Sequence, residues 1–156
     1  MDATTESTSV RRELAIDASP ETVWELLVDP EKATRWMGQK ASFDARPGGM
    51  YRVEVIPDNT ASGEFVEVDP PRRLVYTWGW EPGGMNKSVL PGSSTVEIEL
   101  VPNGEGTTLR FNHYGLPSDE AVQSHAHGWD HYLERLEIAA RGDNPGVDPW
   151  TTGEMT

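Results

Sequence analysis

The longest regular pattern in the chain runs from Ser118 to Gly142, and its period is helical. With Trp129 as reference and a step of ~100° per residue, Val122, Ala126, Leu133, Leu136 and Ala140 fall within about 60° of it, forming one apolar stripe. His125 and Tyr132 lie at the edge of the stripe, while His127, Asp130, His131, Glu134 and Arg135 are predicted to face water. Ser118 is a good N-cap, Asp119 and Glu120 oppose the positive end of the helix dipole, and Arg141-Gly142 supplies a stop. At ~1.5 Å per residue such a helix spans about 35 Å and needs a broad apolar partner.

The upstream pattern supplies that partner as strands. Val10, Arg12, Leu14 and Ile16 alternate with Arg11, Glu13 and Ala15, the period of a half-buried strand. Ser19-Pro20-Glu21 opens a short helix carrying Val23, Trp24, Leu26 and Leu27, and Asp29-Pro30 opens a second that ends near Trp36. Six strands are then predicted: 41–44, 51–55 (Tyr51, Val53 and Val55 inward), 63–68, 73–80 (Leu74, Tyr76, Trp78 and Trp80 on one face), 95–101 (Val96, Ile98 and Leu100 inward) and 107–114 (Leu109, Phe111 and His113 inward). Turns are marked by Pro47-Gly48-Gly49, Pro57-Asp58-Asn59, Asp69-Pro70-Pro71 and Asn103-Gly104-Glu105-Gly106. The order β-α-α-β-β-β-β-β-β-α lets a curved, mostly antiparallel sheet wrap the final helix, an α+β architecture whose concavity one helix cannot fill.

Length and composition bound the function. The 156 residues suffice for one domain with its own core. Residues 1–9 are predicted to be disordered, 10–141 to form the domain, and the Gly-, Pro- and Asp-rich residues 142–156 to be a flexible tail unless Trp150 anchors it. With no cysteine, thiol catalysis, cysteine metal sites and disulfides are excluded. No apolar run approaches the ~20 residues of a membrane span, and the first residues do not read as a signal peptide, so a cytoplasmic location is expected. A formal charge of −13 opposes nucleic acid and anionic membranes as partners.

Several spaced residues resemble a known family: Val23-Trp24, Leu27, Asp29-Pro30, Trp36, Gly48-Gly49, Tyr51, Gly63, Val68-Asp69-Pro70-Pro71, Leu74-Val75-Tyr76-Thr77-Trp78, Gly106-Thr107, Leu109 and Gly128-Trp129. Together they are similar to the bacterial relatives of the activator of the heat-shock protein 90 ATPase, within the START-like or SRPBCC superfamily. The resemblance implies the helix-grip fold, with a cavity between sheet and C-terminal helix that holds apolar ligands in many members. It does not imply one activity, since the superfamily holds carriers, receptors, polyketide cyclases and co-chaperone domains.

The expected function is binding of a small apolar or amphipathic molecule between sheet and helix. Trp36, Tyr51, Tyr76, Trp78, Trp80, Val96, Phe111, His113, His125, Trp129 and Tyr132 are the expected lining, and the alternative is that the aromatics simply fill a core. An enzyme of cyclase or hydrolase type would use His113 or His125 as acid or base, with Tyr76 at the oxyanion; the competing reading is two hydrogen-bonded core histidines. A chaperone partner is implied by the family name alone, and the separate N-terminal domain of the eukaryotic co-chaperone has no counterpart in these residues. His127 and His131 have zinc-ligand spacing, but the helix phase turns them outward, so neither metal nor cofactor is expected. The Trp80–Gly92 stretch reads equally as a lid or as an ordinary rim connection. Ile138 on the outward helix face would be accounted for by a homodimer. Ala126 is the small inward residue at which a larger side chain is expected to intrude on a ligand.

Overall fold

The structure, a computed structural model, describes residues 9–84 and 88–152. The segment expected to be disordered lies outside the described residues except for Ser9, which opens the first strand. The elements are β1 (Ser9–Ile16), α1 (Pro20–Val28), α2 (Pro30–Ala33), β2 (Lys40–Phe43), β3 (Met50–Ile56), β4 (Asn59–Asp69), β5 (Arg73–Trp78), β6 (Ser94–Asn103), β7 (Gly106–Tyr114) and α3 (Asp119–Ala140), followed by a 3-10 turn (Pro149–Thr152). The strands form one seven-stranded antiparallel sheet in the order β1-β7-β6-β5-β4-β3-β2. Its concave face carries α3, which is the helix-grip fold.

Local chemistry sets the boundaries. The Ser19 side chain accepts from the Thr22 amide to start α1, and Asp29 both ends α1 and caps α2 through the Glu31 amide, 2.9 Å from its Oδ1. Trp36 locks the pair of short helices by donating its indole N–H to the Leu26 carbonyl at 2.8 Å. Ser118 caps α3 by accepting from the Ala121 amide.

β4 begins four residues earlier than its pattern predicts, at Asn59 rather than Gly63. Asp58 takes a left-handed φ of 67°, which closes a tight hairpin and lets Thr60, Ala61 and Ser62 pair with Glu54, Val53 and Arg52. A register shift between Glu54 and Ile56 then turns both Val55 and Ile56 inward, so strict alternation fails at the end of β3. Regular pairing of β5 ends at Trp78; Trp80 makes only an isolated bridge to Ala61.

α3 is rotated relative to the expected stripe. Its buried residues are Ala121, His125, Trp129, Tyr132, Leu133, Arg135, Leu136 and Ala140, whereas Val122 and Ala126 are half-buried at the edge. Arg135, expected in water, is 9% exposed, and His131 is half-covered. Arg135 and His131 are covered by the C-terminal segment, described as far as Thr152. It folds back along α3, where Arg135 donates to the carbonyls of Trp36 (3.0 Å), Pro145 (3.3 Å) and Gly146 (2.9 Å), and Trp150 is buried. Ile138 is itself half-buried. No helix among the described residues is long and apolar enough to cross a membrane.

Candidate functional site

Between the sheet and α3 lies a cavity of about 350 Å³. The sheet side contributes Val55, Ile56, Asn59, Trp78 and Trp80; α3 contributes Ser124, His125, His127, Gly128, Trp129 and Tyr132; Met37 closes the end near α2, and Trp150 comes from the C-terminal segment. The walls are thus mainly indole and aliphatic, with a few polar groups, the usual make-up of a small-molecule site.

The residues expected to line the cavity divide into two groups. Trp78, Trp80, His125, Trp129 and Tyr132 border the cavity, while Trp36, Tyr51, Tyr76, Val96, Phe111 and His113 do not. Tyr51 and Tyr76 stack on each other at 4.1 Å between centroids and are almost fully buried. Burial pushes both phenols up. Phe111 packs under Trp129 at 4.6 Å. These residues form the floor on which the cavity rests.

The two inward histidines are held by indoles. Trp129 donates its N–H to His113 Nδ1 at 2.9 Å, so His113 carries its proton on Nε2 and gives it to Ser94 Oγ at 2.8 Å, while Ser94 donates onward to the Trp78 carbonyl at 2.8 Å. Trp80 donates to His125 Nε2 at 2.9 Å, and His125 Nδ1–H reaches the Ala121 carbonyl at 2.8 Å. Both rings are therefore neutral with their lone pairs occupied. Burial, together with the nearby His125, holds His113 well below the usual imidazole range; burial lowers His125 as well, against the opposing Ala121 carbonyl. The partners of both rings are indoles, a serine hydroxyl and a backbone carbonyl, and Tyr76 is not in the cavity wall.

His127 and His131, the pair with zinc-ligand spacing, both lie against the C-terminal segment. Trp150 stacks on both, at 3.8 Å over His131 and 5.2 Å over His127, and His131 Nε2 lies 2.8 Å from Asp148 Oδ1. Among the described residues no group of three or more His, Cys, Asp or Glu could hold a metal ion.

The fold agrees with what the sequence matches. A family profile described as "Activator of Hsp90 ATPase homolog 1-like protein" covers residues 17–141. The chain belongs to this family. Among solved structures, the AHSA1-like protein of Rhizobium etli is 48% identical, with 91% of this chain and 87% of that one covered and a TM-score of 0.72. CalU16 from Micromonospora echinospora is 31% identical, with 89% and 69% covered and a TM-score of 0.70. The Aha1 dimer of Colwellia psychrerythraea, at 18% identity, 86% and 96% coverage and a TM-score of 0.71, shares the fold. No curated protein matches the sequence.

Eight wall residues of this AHSA1-like chain lie outside the expected lining: Met37, Val55, Ile56, Asn59, Ser124, His127, Gly128 and Trp150. Gly128 had a legible signal, because glycine inside a helix costs ~1 kcal/mol relative to alanine and calls for a reason. A Cβ built on Gly128 meets nothing within 4 Å, so the missing side chain leaves open space at the cavity wall. Ala126, by contrast, does not line the cavity. The 80–92 connection is pinned at its base, where the Trp80 amide donates to the Val89 carbonyl at 2.7 Å and Val89 is buried. Apart from Trp80 none of its described residues borders the cavity, and Met85 lies outside the described residues.

Proposed function

We propose that this chain binds one small, mainly apolar molecule in the cavity between sheet and α3. The observation that carries the reading is the wall itself: indoles of Trp78, Trp80, Trp129 and Trp150 surround about 350 Å³ that Gly128 leaves open. That volume is near the lower end of the ~300–1,000 Å³ typical of ligand pockets, which favours a compact, flat occupant stacking on rings. The histidines support a binding role over an enzymatic one, because each has its acceptor nitrogen filled by an indole N–H.

Phenylnaphthylamine fluorescence tests this. The probe is expected to bind at a single site and to alter tryptophan emission. Gly128→Leu should weaken binding at least about tenfold, since its side chain occupies the ligand's space, while helix propensity offsets any packing loss to within ~1 kcal/mol of stability. Absence of probe binding, or unchanged affinity in folded Gly128→Leu, would sink the reading. Gly128→Ala should raise stability by ~0.5–1 kcal/mol in a urea melt, because a methyl fits the open space and the helix gains its propensity.

A further inference from the structure

One wall of the cavity belongs to neither the sheet nor α3. After Gly142 (φ +94°) the chain turns again at Gly146 (φ +81°) and returns along α3, so that Trp150 reaches the cavity lining and the 3-10 turn touches β3. This segment links the two layers; apart from Met37 and the bridge residue Trp80, every other wall residue lies in a strand or in α3. Its hold is narrow: from 143 to 152 only Asp148 and Trp150 are buried, and Val147 is 79% exposed.

The attachment is mostly polar. Asp148 Oδ2 accepts the Tyr132 hydroxyl at 2.7 Å, and its Oδ1 lies 2.8 Å from His131 Nε2 and accepts the Trp150 amide at 3.0 Å. The Trp150 ring lies flat on His131, 10° from parallel. Strands and helix are held by continuous ladders, whereas this wall depends on one carboxylate, one stacked indole and the Arg135 contacts to two carbonyls. Segments with few buried apolar contacts open at lower free energy than the core that carries them.

We propose that residues 143–152 are a latch on the cavity: undocking of Trp150 admits and releases the occupant, and Asp148 sets how often this happens. The inference rests on the binding reading above. A gate and a static wall differ kinetically, since easier opening speeds entry and exit together, whereas a weakened wall contact speeds exit alone.

Stopped-flow binding of phenylnaphthylamine to the full chain separates them. In Asp148→Asn, which alters no cavity-lining residue, association and dissociation rates should both rise about tenfold, the factor of one charge-assisted hydrogen bond, with Kd within about threefold of the parent. Hydrogen exchange at the Trp150 amide should accelerate in parallel. Gly146→Ala, which strains the left-handed turn without approaching the cavity, should move both rates the same way. Unchanged rates, unchanged exchange at Trp150, or a rise in dissociation alone with weaker Kd would overturn the latch and leave cavity binding standing. If the parent protein binds no probe, cavity binding and latch fall together.

Discussion

Replacing Trp129 with alanine is expected to remove at least about 4 kcal/mol of stability, a large share of the ~5–15 kcal/mol available to a domain of this size. Trp129 is 3% exposed and sits where helix meets sheet, with its ring 4.6 Å from Phe111 and 5.1 Å from Trp78. Truncation leaves a hole costing ~3–5 kcal/mol and also orphans His113 Nδ1, a buried acceptor whose lost partner adds ~1–3 kcal/mol. Trp129→Phe weighs the two terms differently, because it keeps a six-membered ring in the seam, and so reduces the hole, while losing the indole N–H entirely. Urea titrations with a common m-value would read both variants. A loss below about 1 kcal/mol for the alanine variant would show that Trp129 does not fill the seam between helix and sheet.

The seam was legible in the chain itself because its signals are local. Leu109, Phe111 and His113 alternate on one strand, and Trp129, Leu133 and Leu136 recur at helical spacing, so their meeting follows from period and order alone. What escaped depends on contacts remote in sequence. Arg135 reads as a surface residue until Pro145 and Gly146 fold over it and offer carbonyls. Asp148 sits in a stretch of turn-forming residues, and only the folded helix brings Tyr132 and His131 to it. The paired inward turn of Val55 and Ile56 comes from a register shift that alternation cannot encode.

The same limit applies to the site. Aromaticity marks residues that are buried but not which side of a ring faces empty space, so Tyr51, Tyr76 and Phe111, which pack against other rings, looked equivalent to Trp78 and Trp129. The cavity is instead marked by what is missing, the side chain of Gly128.

Mild acid should destabilise this protein well above the range in which carboxylates titrate. His113 is fully buried and His125 is 5% exposed, and both are held below the ordinary imidazole value of about 6.5, chiefly by burial. Once pH falls below about 6.5 the unfolded chain binds protons at these positions and the folded chain does not, so the equilibrium moves toward unfolding. The loss begins near pH 6.5, continues down to each folded-state pKa, and amounts to about 1.4 kcal/mol per pH unit for each histidine within that window. Asp148 contributes at lower pH. Burial pushes its carboxyl up, but hydrogen bonds from Tyr132, His131 and the Trp150 amide outweigh that, so its stabilisation is present above about 3.9 and is lost only as pH falls through a still lower folded value. Urea midpoints at pH 7.5, 6.5 and 5.5 should therefore hold steady across the first interval far better than across the second. His125→Gln should reduce the slope of the second interval, since glutamine can still accept the Trp80 N–H but takes up no proton. A flat profile from pH 7.5 to 5.5 would mean that both imidazoliums are tolerated inside. The pairing of each histidine with an indole N–H would then not be the arrangement that the folded protein maintains.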